Sequence, residues 1–216
     1  MAIVPNNQSL DALLPVAERQ SGYFTTAQAA KEGVAAKTLG RITNAGHLDR
    51  ISAGIYRLAR WPAAEHDGLW PVYLWGTLHS ERAVLSHRTA LQLYNISDIN
   101  PNRIDLTIPP KVRIRAATPG AVTLHRREFE PKDVVLIDGL PVTTPFRTLV
   151  DLTVDRVARD AVAEVIDSGS AEHLIPAEYL KQVRALFDLT PETRRILKET
   201  LISEDSVQAR VKRARQ

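Results

Sequence analysis

Apolar residues recur at helical spacing in three short segments at the start of the chain. They predict a first helix over 10–20 and a third helix over 35–45. Between these two, Thr25 and Gln28 have the spacing of a capping box and predict the start of a second helix, which Gly33 ends. The tight glycine turn between the second and third helices is typical of a helix-turn-helix.

After the third helix, the pattern changes to an alternation of apolar and polar residues. Residues 47–51 and 55–58 alternate in this way on either side of a turn at 52–54, which predicts a hairpin. A hairpin in this position is called a wing. The sequence therefore predicts a winged helix-turn-helix domain over residues 1–62.

The second part of the chain mixes strand and helix patterns. Strands are predicted over 103–108, 122–126 and 134–137, and the last of these ends in an Asp-Gly turn. Helices are predicted over 69–78, 86–93, 144–152, 156–167, 176–187 and 191–203. These elements predict a mixed α/β domain over 66–205 with a C-terminal helical segment, followed by a basic tail over 206–216. The whole chain is expected to have an α+β fold.

The composition excludes several classes of protein. The chain has no cysteine, so it has no disulfide, no cysteine–zinc site and no thiol nucleophile. No segment approaches the ~18 consecutive apolar residues of a membrane-spanning helix, and the first ten residues lack the pattern of a secretory signal. We therefore expect a cytoplasmic protein with no membrane segment.

Basic and acidic residues are segregated along the chain, although the net charge is only +3. Residues 1–60 hold seven basic and four acidic side chains, and residues 103–127 hold six and one. Residues 155–205 have the opposite balance, with seven basic and eleven acidic side chains. Basic patches of this kind suit the binding of a polyanion such as DNA, and ordinary solvated surface charge is the alternative.

The third helix carries side chains that suit contact with DNA bases. If Leu39 and Ile42 face the core, the opposite face presents cationic and amide side chains to a major groove. Arginine can pair with guanine and asparagine with adenine, while arginines on the wing can contact phosphates or enter the minor groove. The predicted DNA-contacting residues of this domain are Lys37, Thr38, Arg41, Asn44, Arg50, Arg57 and Arg60. Gly40 lies among them. Its lack of a side chain either serves close approach of the helix to DNA or is merely tolerated.

A second basic segment lies in the α/β domain. In a strand, Lys111, Arg113 and Arg115 would share one face, and a hairpin with Arg126 and Arg127 would present a flat cationic surface. We expect this surface to contact DNA phosphates or to dock an acidic partner, with solvated charge as the alternative.

Catalytic motifs are not evident in the sequence. The six histidines show no recognised metal-ligand spacing, and neither a phosphate-binding loop nor a hydrolase elbow is present, so no catalytic residue, metal or cofactor is predicted. The nearest approximation to a magnesium nuclease site is Asp105 with Glu130 and Lys132. Pro131 removes a backbone donor from the strand that such a site needs, which disfavours this alternative.

Several segments resemble the AbiEi antitoxins of type IV toxin–antitoxin systems. The resemblance rests on residues 22–29, 48–51, 54–58, 83–91, 104–109 and 124–126, and above all on the run DGLPVTTPFRTLVDL at 138–152. It implies a repressor that binds double-stranded DNA at inverted repeats in its own promoter and counteracts a nucleotidyltransferase-like toxin. The chain lacks the Gly-Ser and Asp-x-Asp pattern of such a toxin, so it resembles the antitoxin partner and not an enzyme. The alternative is an enzyme that acts on nucleic acid or modifies a toxin protein.

Two motifs inside this resemblance have a structural interpretation. Ser86 is placed to cap a helix, and His87 and Arg88 are placed to bond to neighbouring strands. Arg147, in the first turn of the predicted helix, is expected to pair with Asp138 or Asp151.

Overall fold

The computed structural model describes residues 7–97 and 102–188, together with positions 191, 192 and 195. The helix predicted over 191–203 falls outside the described residues except at these three positions. The basic tail predicted over 206–216 falls outside them entirely. The described part combines helices with two β-sheets, as the sequence predicts.

Contacts within the chain divide it into two units. The first unit comprises Met1–Glu81 and Asp138–Leu140, and the second comprises Arg82–Ile137 and Pro141–Gln216. Residues 66–81, which the sequence pattern places in the second domain, belong to the first unit by their contacts. Within this segment, Leu78 lies against Gly54 at the tip of the wing.

The first unit is a winged helix-turn-helix with one added helix. Its elements are α1 (Asn7–Glu18), β1 (Tyr23–Thr25), α2 (Thr26–Lys31), α3 (Ala36–Asn44), β2 (Leu48–Ser52), β3 (Ile55–Leu58) and α4 (Trp70–His79). The three antiparallel strands lie in the order β1-β3-β2. The pattern did not predict β1, because three residues are too few to show a period.

Local signals set the ends of α2 and α3. The predicted capping box is confirmed, since the Thr25 hydroxyl accepts from the backbone of Gln28 and the Gln28 side chain accepts from the backbone of Thr25. Gly33 follows with φ of 78°, a left-handed conformation that glycine adopts without strain. The chain then turns into α3, whose Leu39 and Ile42 are buried in the core of the unit.

The second unit is built on a five-stranded sheet in the order β6-β5-β4-β8-β7. Its elements are β4 (Val84–Leu85), α5 (His87–Leu93), β5 (Ile104–Ile108), β6 (Val122–Arg126), β7 (Val134–Ile137), β8 (Leu140–Thr143), α6 (Pro145–Asp155), α7 (Arg159–Asp167) and α8 (Ala177–Ala185). The predicted turn between β7 and β8 is confirmed. Asp138 and Gly139 both have positive φ, as a two-residue type I′ hairpin requires.

The segment between β5 and β6 is not a hairpin, so the prediction of a hairpin over 111–127 is wrong. Ile104 aligns with Val122 and Ile108 with Arg126, which makes the two strands parallel. Parallel neighbours need a crossover connection, because the chain must return to the same end of the sheet. Residues 109–121 make this connection without forming a strand.

Helix α6 lies at the centre of the second unit. Pro145 occupies its first turn, and the Thr144 side chain caps it by accepting from the backbone of Arg147. Every residue from Phe146 to Val154 is buried, and the apolar ones form a core with α5, α7 and α8. The polar residues of α6 therefore require partners inside the protein.

Arg147 and Asp151 satisfy this requirement through a buried ion-pair network. The Arg147 Nε lies 3.0 Å from both carboxylate oxygens of Asp151, which confirms one of the two predicted pairings. Arg147 also donates to the Asp133 carboxylate at 2.8 Å and to the Glu128 carbonyl at 2.7 Å. Burial alone would raise the pKa of Asp151, but Arg147 and Arg127 hold it below its usual value.

Arg147→Ala is expected to lower the free energy of unfolding of the second unit by about 3–5 kcal/mol, because it leaves buried carboxylates without a cation. Urea unfolding followed by far-ultraviolet circular dichroism measures this loss. Tryptophan fluorescence reports on the first unit only, since Trp61, Trp70 and Trp75 all lie there, and it should change little.

The matched control is Arg115→Ala, which removes an exposed arginine of the same unit and should change the free energy of unfolding by less than about 0.5 kcal/mol. A loss below about 1 kcal/mol for Arg147→Ala would contradict the structural role of the network.

Candidate nucleic-acid interface

Helix α3 presents a polar face to solvent because its apolar face is buried. Leu39 and Ile42 have 0% and 2% of their surface exposed. Three residues predicted to contact DNA are exposed on the same helix: Lys37, Arg41 and Asn44. The fourth, Thr38, is half-buried, and its hydroxyl accepts from the Arg41 guanidinium at 3.3 Å.

Gly40 leaves a gap in this polar face. Among the described residues, a Cβ atom placed there would meet no atom within 4 Å outside the backbone of the helix itself, so no packing contact requires a glycine. The residue is exposed and lies between the cationic side chains of the helix. The backbone of α3 is therefore not covered by a side chain at this point.

The wing supplies two exposed arginines. Arg50 is exposed on β2, and Arg60 is exposed just beyond β3. The tip of the wing does not project freely, because the Gly54 carbonyl accepts from the backbone of Thr26 and Leu78 packs against it. Contacts of the wing with a partner therefore depend on its strands.

Arg57 has protein partners, in contrast to its predicted role at the DNA phosphates. Its guanidinium lies 4.8 Å from the centre of the Tyr23 ring, donates to the carbonyls of Ser21 and Pro62, and pairs with the Asp67 carboxylate. Burial would raise the pKa of Asp67, but hydrogen bonds from Ser21 and the backbone of Ala64, together with Arg57, lower it overall. Arg57 thus stabilises the first unit.

In the second unit, the predicted basic residues divide into exposed and buried ones. Lys111, Arg113 and Arg115 are exposed on the crossover segment. Arg126, exposed at the end of β6, donates to the Val112 carbonyl at 2.5 Å and so lies beside this segment. These four residues form an exposed cationic surface, which is smaller than the predicted one.

Arg127 does not belong to that surface. Only 3% of it is exposed, and its guanidinium donates to Asp151 at 2.7 Å and to Asp155 at 2.8 Å. The prediction that it contacts DNA is therefore wrong. The sequence gives no sign of this difference between Arg126 and Arg127, because both carboxylates lie on a distant helix.

The structure also brings together a histidine cluster that the sequence pattern does not reveal. Among the described residues, His87, His125 and Asp155 form a group of side chains able to hold a metal ion. Burial is the main reason why the pKa of His87 lies below its usual value; its hydrogen bond to Asp155 opposes this effect. Ser86 begins α5 as predicted, but its hydroxyl contacts Thr107 and His87 and does not cap the helix backbone.

Two sequence families match the chain. The family described as "Transcriptional regulator, AbiEi antitoxin" matches residues 11–59, and "AbiEi antitoxin C-terminal domain" matches residues 82–194. The chain belongs to the AbiEi antitoxin family. These families support the roles of transcriptional regulator and antitoxin, as the sequence resemblance implies. No curated protein matches the chain.

The fold of this AbiEi protein has a counterpart among solved structures. It is similar to the crystal structure of the RV2827C protein from Mycobacterium tuberculosis, with a TM-score of 0.50 and 16% sequence identity. The similarity covers 94% of this chain and 85% of that one. At this identity, the similarity concerns the fold alone.

The residues considered for a nuclease site have other partners in this AbiEi protein. The Asp105 carboxylate is buried against His125 at 2.7 Å. Glu130 is half-buried and pairs with the exposed Lys132 at 2.9 Å, and Pro131 begins a short 3₁₀ turn. None of the helices within the described ranges has both the length and the apolar content needed to cross a bilayer.

Asp67→Asn is expected to lower the free energy of unfolding of the first unit by about 1–2 kcal/mol at pH 7, because it removes the charge that holds Arg57. The folded pKa of Asp67 is lowered, so its stabilisation is present above the unfolded pKa of about 4 and is lost as the pH falls through the folded pKa. The difference between variant and wild type should therefore shrink in acid. Tryptophan fluorescence in urea measures it.

Asp49→Asn, at an exposed position of β2, is the control and should have little effect at either pH. If the loss in Asp67→Asn were the same at pH 7 and at about pH 3, the charge of Asp67 would not be its cause.

Proposed function

We propose that this protein is an autorepressor that binds double-stranded DNA of its own promoter and inserts α3 into the major groove. The observation that carries the proposal is the division of α3 into two faces. Because Leu39 and Ile42 occupy the core, Lys37, Arg41 and Asn44 are exposed on one short helix that follows a tight turn.

Each exposed side chain of α3 has a matching group on DNA. Arg41 can donate two hydrogen bonds to O6 and N7 of guanine, and Asn44 can pair with N6 and N7 of adenine. Lys37 can reach guanine or a phosphate. Thr38 holds the Arg41 guanidinium at 3.3 Å, which limits its rotamers before DNA arrives.

The strands of the wing supply phosphate contacts in this proposal. Arg50 and Arg60 are exposed and neutralise backbone charge, which releases counterions and makes binding depend on salt. Arg57 stabilises the wing from inside through its pair with Asp67. A two-fold arrangement of such domains would match an operator of inverted repeats.

The second unit provides the antitoxin function in this proposal, against a nucleotidyltransferase-like toxin in the cytoplasm. Support for the toxin class comes from the family resemblance of the long run at 138–152. We propose that Lys111, Arg113, Arg115 and Arg126 bind either DNA phosphates beside the operator or an acidic surface of the toxin. The protein then acts by binding and not by catalysis.

Arg41→Ala is expected to weaken binding to the promoter by about 1–3 kcal/mol and to relax preference at one base position, because a bidentate base contact is lost. Arg50→Ala should weaken all sequences alike and lower the magnitude of the salt slope by about one, because it contacts phosphate. Fluorescence anisotropy with the promoter and with single-base variants of it measures both effects.

Lys31→Ala is the matched control, since it removes one exposed positive charge from the first unit outside α3. If Arg41→Ala and Arg50→Ala lost the same affinity on promoter and on random duplex, α3 would not be the element that recognises bases.

The double variant Arg113→Ala, Arg115→Ala separates the two roles of the second basic segment. If the segment contacts phosphates, the magnitude of the salt slope should fall by about two while base preference is kept. If it docks the toxin, the variant should repress normally but fail to protect cells that express the toxin. Promoter affinity across salt and rescue from the toxin are measured in parallel.

Lys181→Ala, Arg184→Ala makes the same change of charge on α8 and serves as the control. An unchanged result in both assays for the first double variant would exclude the segment as a functional surface.

A further inference from the structure

Three side chains from separate elements converge in the second unit. His87 begins α5, His125 lies in β6, and Asp155 ends α6. One ring nitrogen of each histidine and one carboxylate oxygen of Asp155 lie within 4.8 Å of one another. The two imidazole rings are stacked, with centroids 3.5 Å apart and planes inclined by 11°.

The hydrogen bonds of His125 leave one of its nitrogens facing this group. Its Nε2 lies 2.7 Å from the Asp105 carboxylate, which makes Nε2–H the donor and leaves a lone pair on Nδ1. That lone pair faces Asp155 Oδ2 at 3.9 Å. In the neutral ring both atoms carry lone pairs, and either a proton or a metal ion between them would remove their repulsion.

His87 can bind the same cation through Nε2 by a change of tautomer, without gaining or losing a proton. Its Nε2 lies 3.1 Å from Asp155 Oδ2, and its Nδ1 lies 2.9 Å from the Ser86 hydroxyl. Without a cation, Nε2–H donates to Asp155. With one, the proton moves to Nδ1 and is donated to Ser86, whose hydroxyl in turn donates to Thr107 at 2.7 Å.

The charge of the surrounding network favours a divalent cation. Among the ion pairs of the described residues, carboxylates outnumber guanidinium groups in it: Asp105, Asp133, Asp151 and Asp155 against Arg127 and Arg147.

We propose that His87, His125 and Asp155 bind one Zn²⁺ ion, with water as the fourth ligand. Two imidazole nitrogens and a carboxylate oxygen are common zinc ligands, at about 2.0–2.2 Å. The hydrogen bonds from His125 to Asp105 and from His87 to Ser86 are the outer contacts that fix the ring orientation of zinc-binding histidines. The side chains of His125 and Asp155 are 14% and 15% exposed, which gives the ion and the water a path from solvent.

Calorimetric titration of the chelator-treated full-length protein with ZnCl₂ tests the proposal. We expect one ion per chain, and an affinity at least about 100-fold lower in His125→Gln. Glutamine keeps a donor near Asp105 but has no atom in the place of Nδ1. His173→Gln, at an exposed histidine, is the matched control and should bind like the wild type.

Circular dichroism in chelator shows whether His125→Gln is folded. If it is not, Asp155→Asn and the histidine ring NMR signals of the wild type replace it, and two of the six histidines should shift with one equivalent of zinc. The proposal is wrong if the wild type binds no zinc at about 100 µM. It is also wrong if a folded His125→Gln binds as tightly as His173→Gln.

Discussion

Asp151 has none of its surface exposed, and a carboxylate removed from water must be paired with cations inside the protein. Arg127, just beyond β6, and Arg147, one turn earlier on α6, both pair with it. Because Arg147 also reaches Asp133, the turn before β7 is tied to the same point. A single buried charge therefore fixes the positions of three elements relative to one another: the edge strand β6, the central helix α6 and the turn before β7.

Arginine serves two opposite purposes in this protein, and the neighbouring carboxylates decide which. On α3, Leu39 fills the core and no carboxylate pairs with Arg41 among the contacts of the described residues, so its guanidinium stays in solvent. Arg57 and Arg127 meet Asp67 and Asp151 and are used for stability. A basic patch in a sequence is therefore a guide to nucleic-acid binding only after its internal ion pairs are removed from it.

The elements predicted correctly are those specified by neighbouring residues. The capping box at Thr25, the alternation over 122–126 and the Asp-Gly turn at 138–139 all act within a few residues. The features that were predicted wrongly or missed depend on residues that are far apart in the sequence. The parallel pairing that turned 109–121 into a crossover depends on strand order, and the contact between His87 and Asp155 joins residues 68 positions apart. No periodicity in one sequence carries information over such distances.

The first unit is proposed to recognise a specific DNA sequence. Fluorescence anisotropy of the wild type with its own promoter fragment and with a scrambled duplex of equal length, over a range of salt concentrations, measures this recognition. With about six phosphate contacts, the slope of log K against log salt should be about −5, and the promoter should be bound more tightly throughout. Equal affinity for the two duplexes at about 150 mM salt would mean that the protein does not recognise a specific sequence.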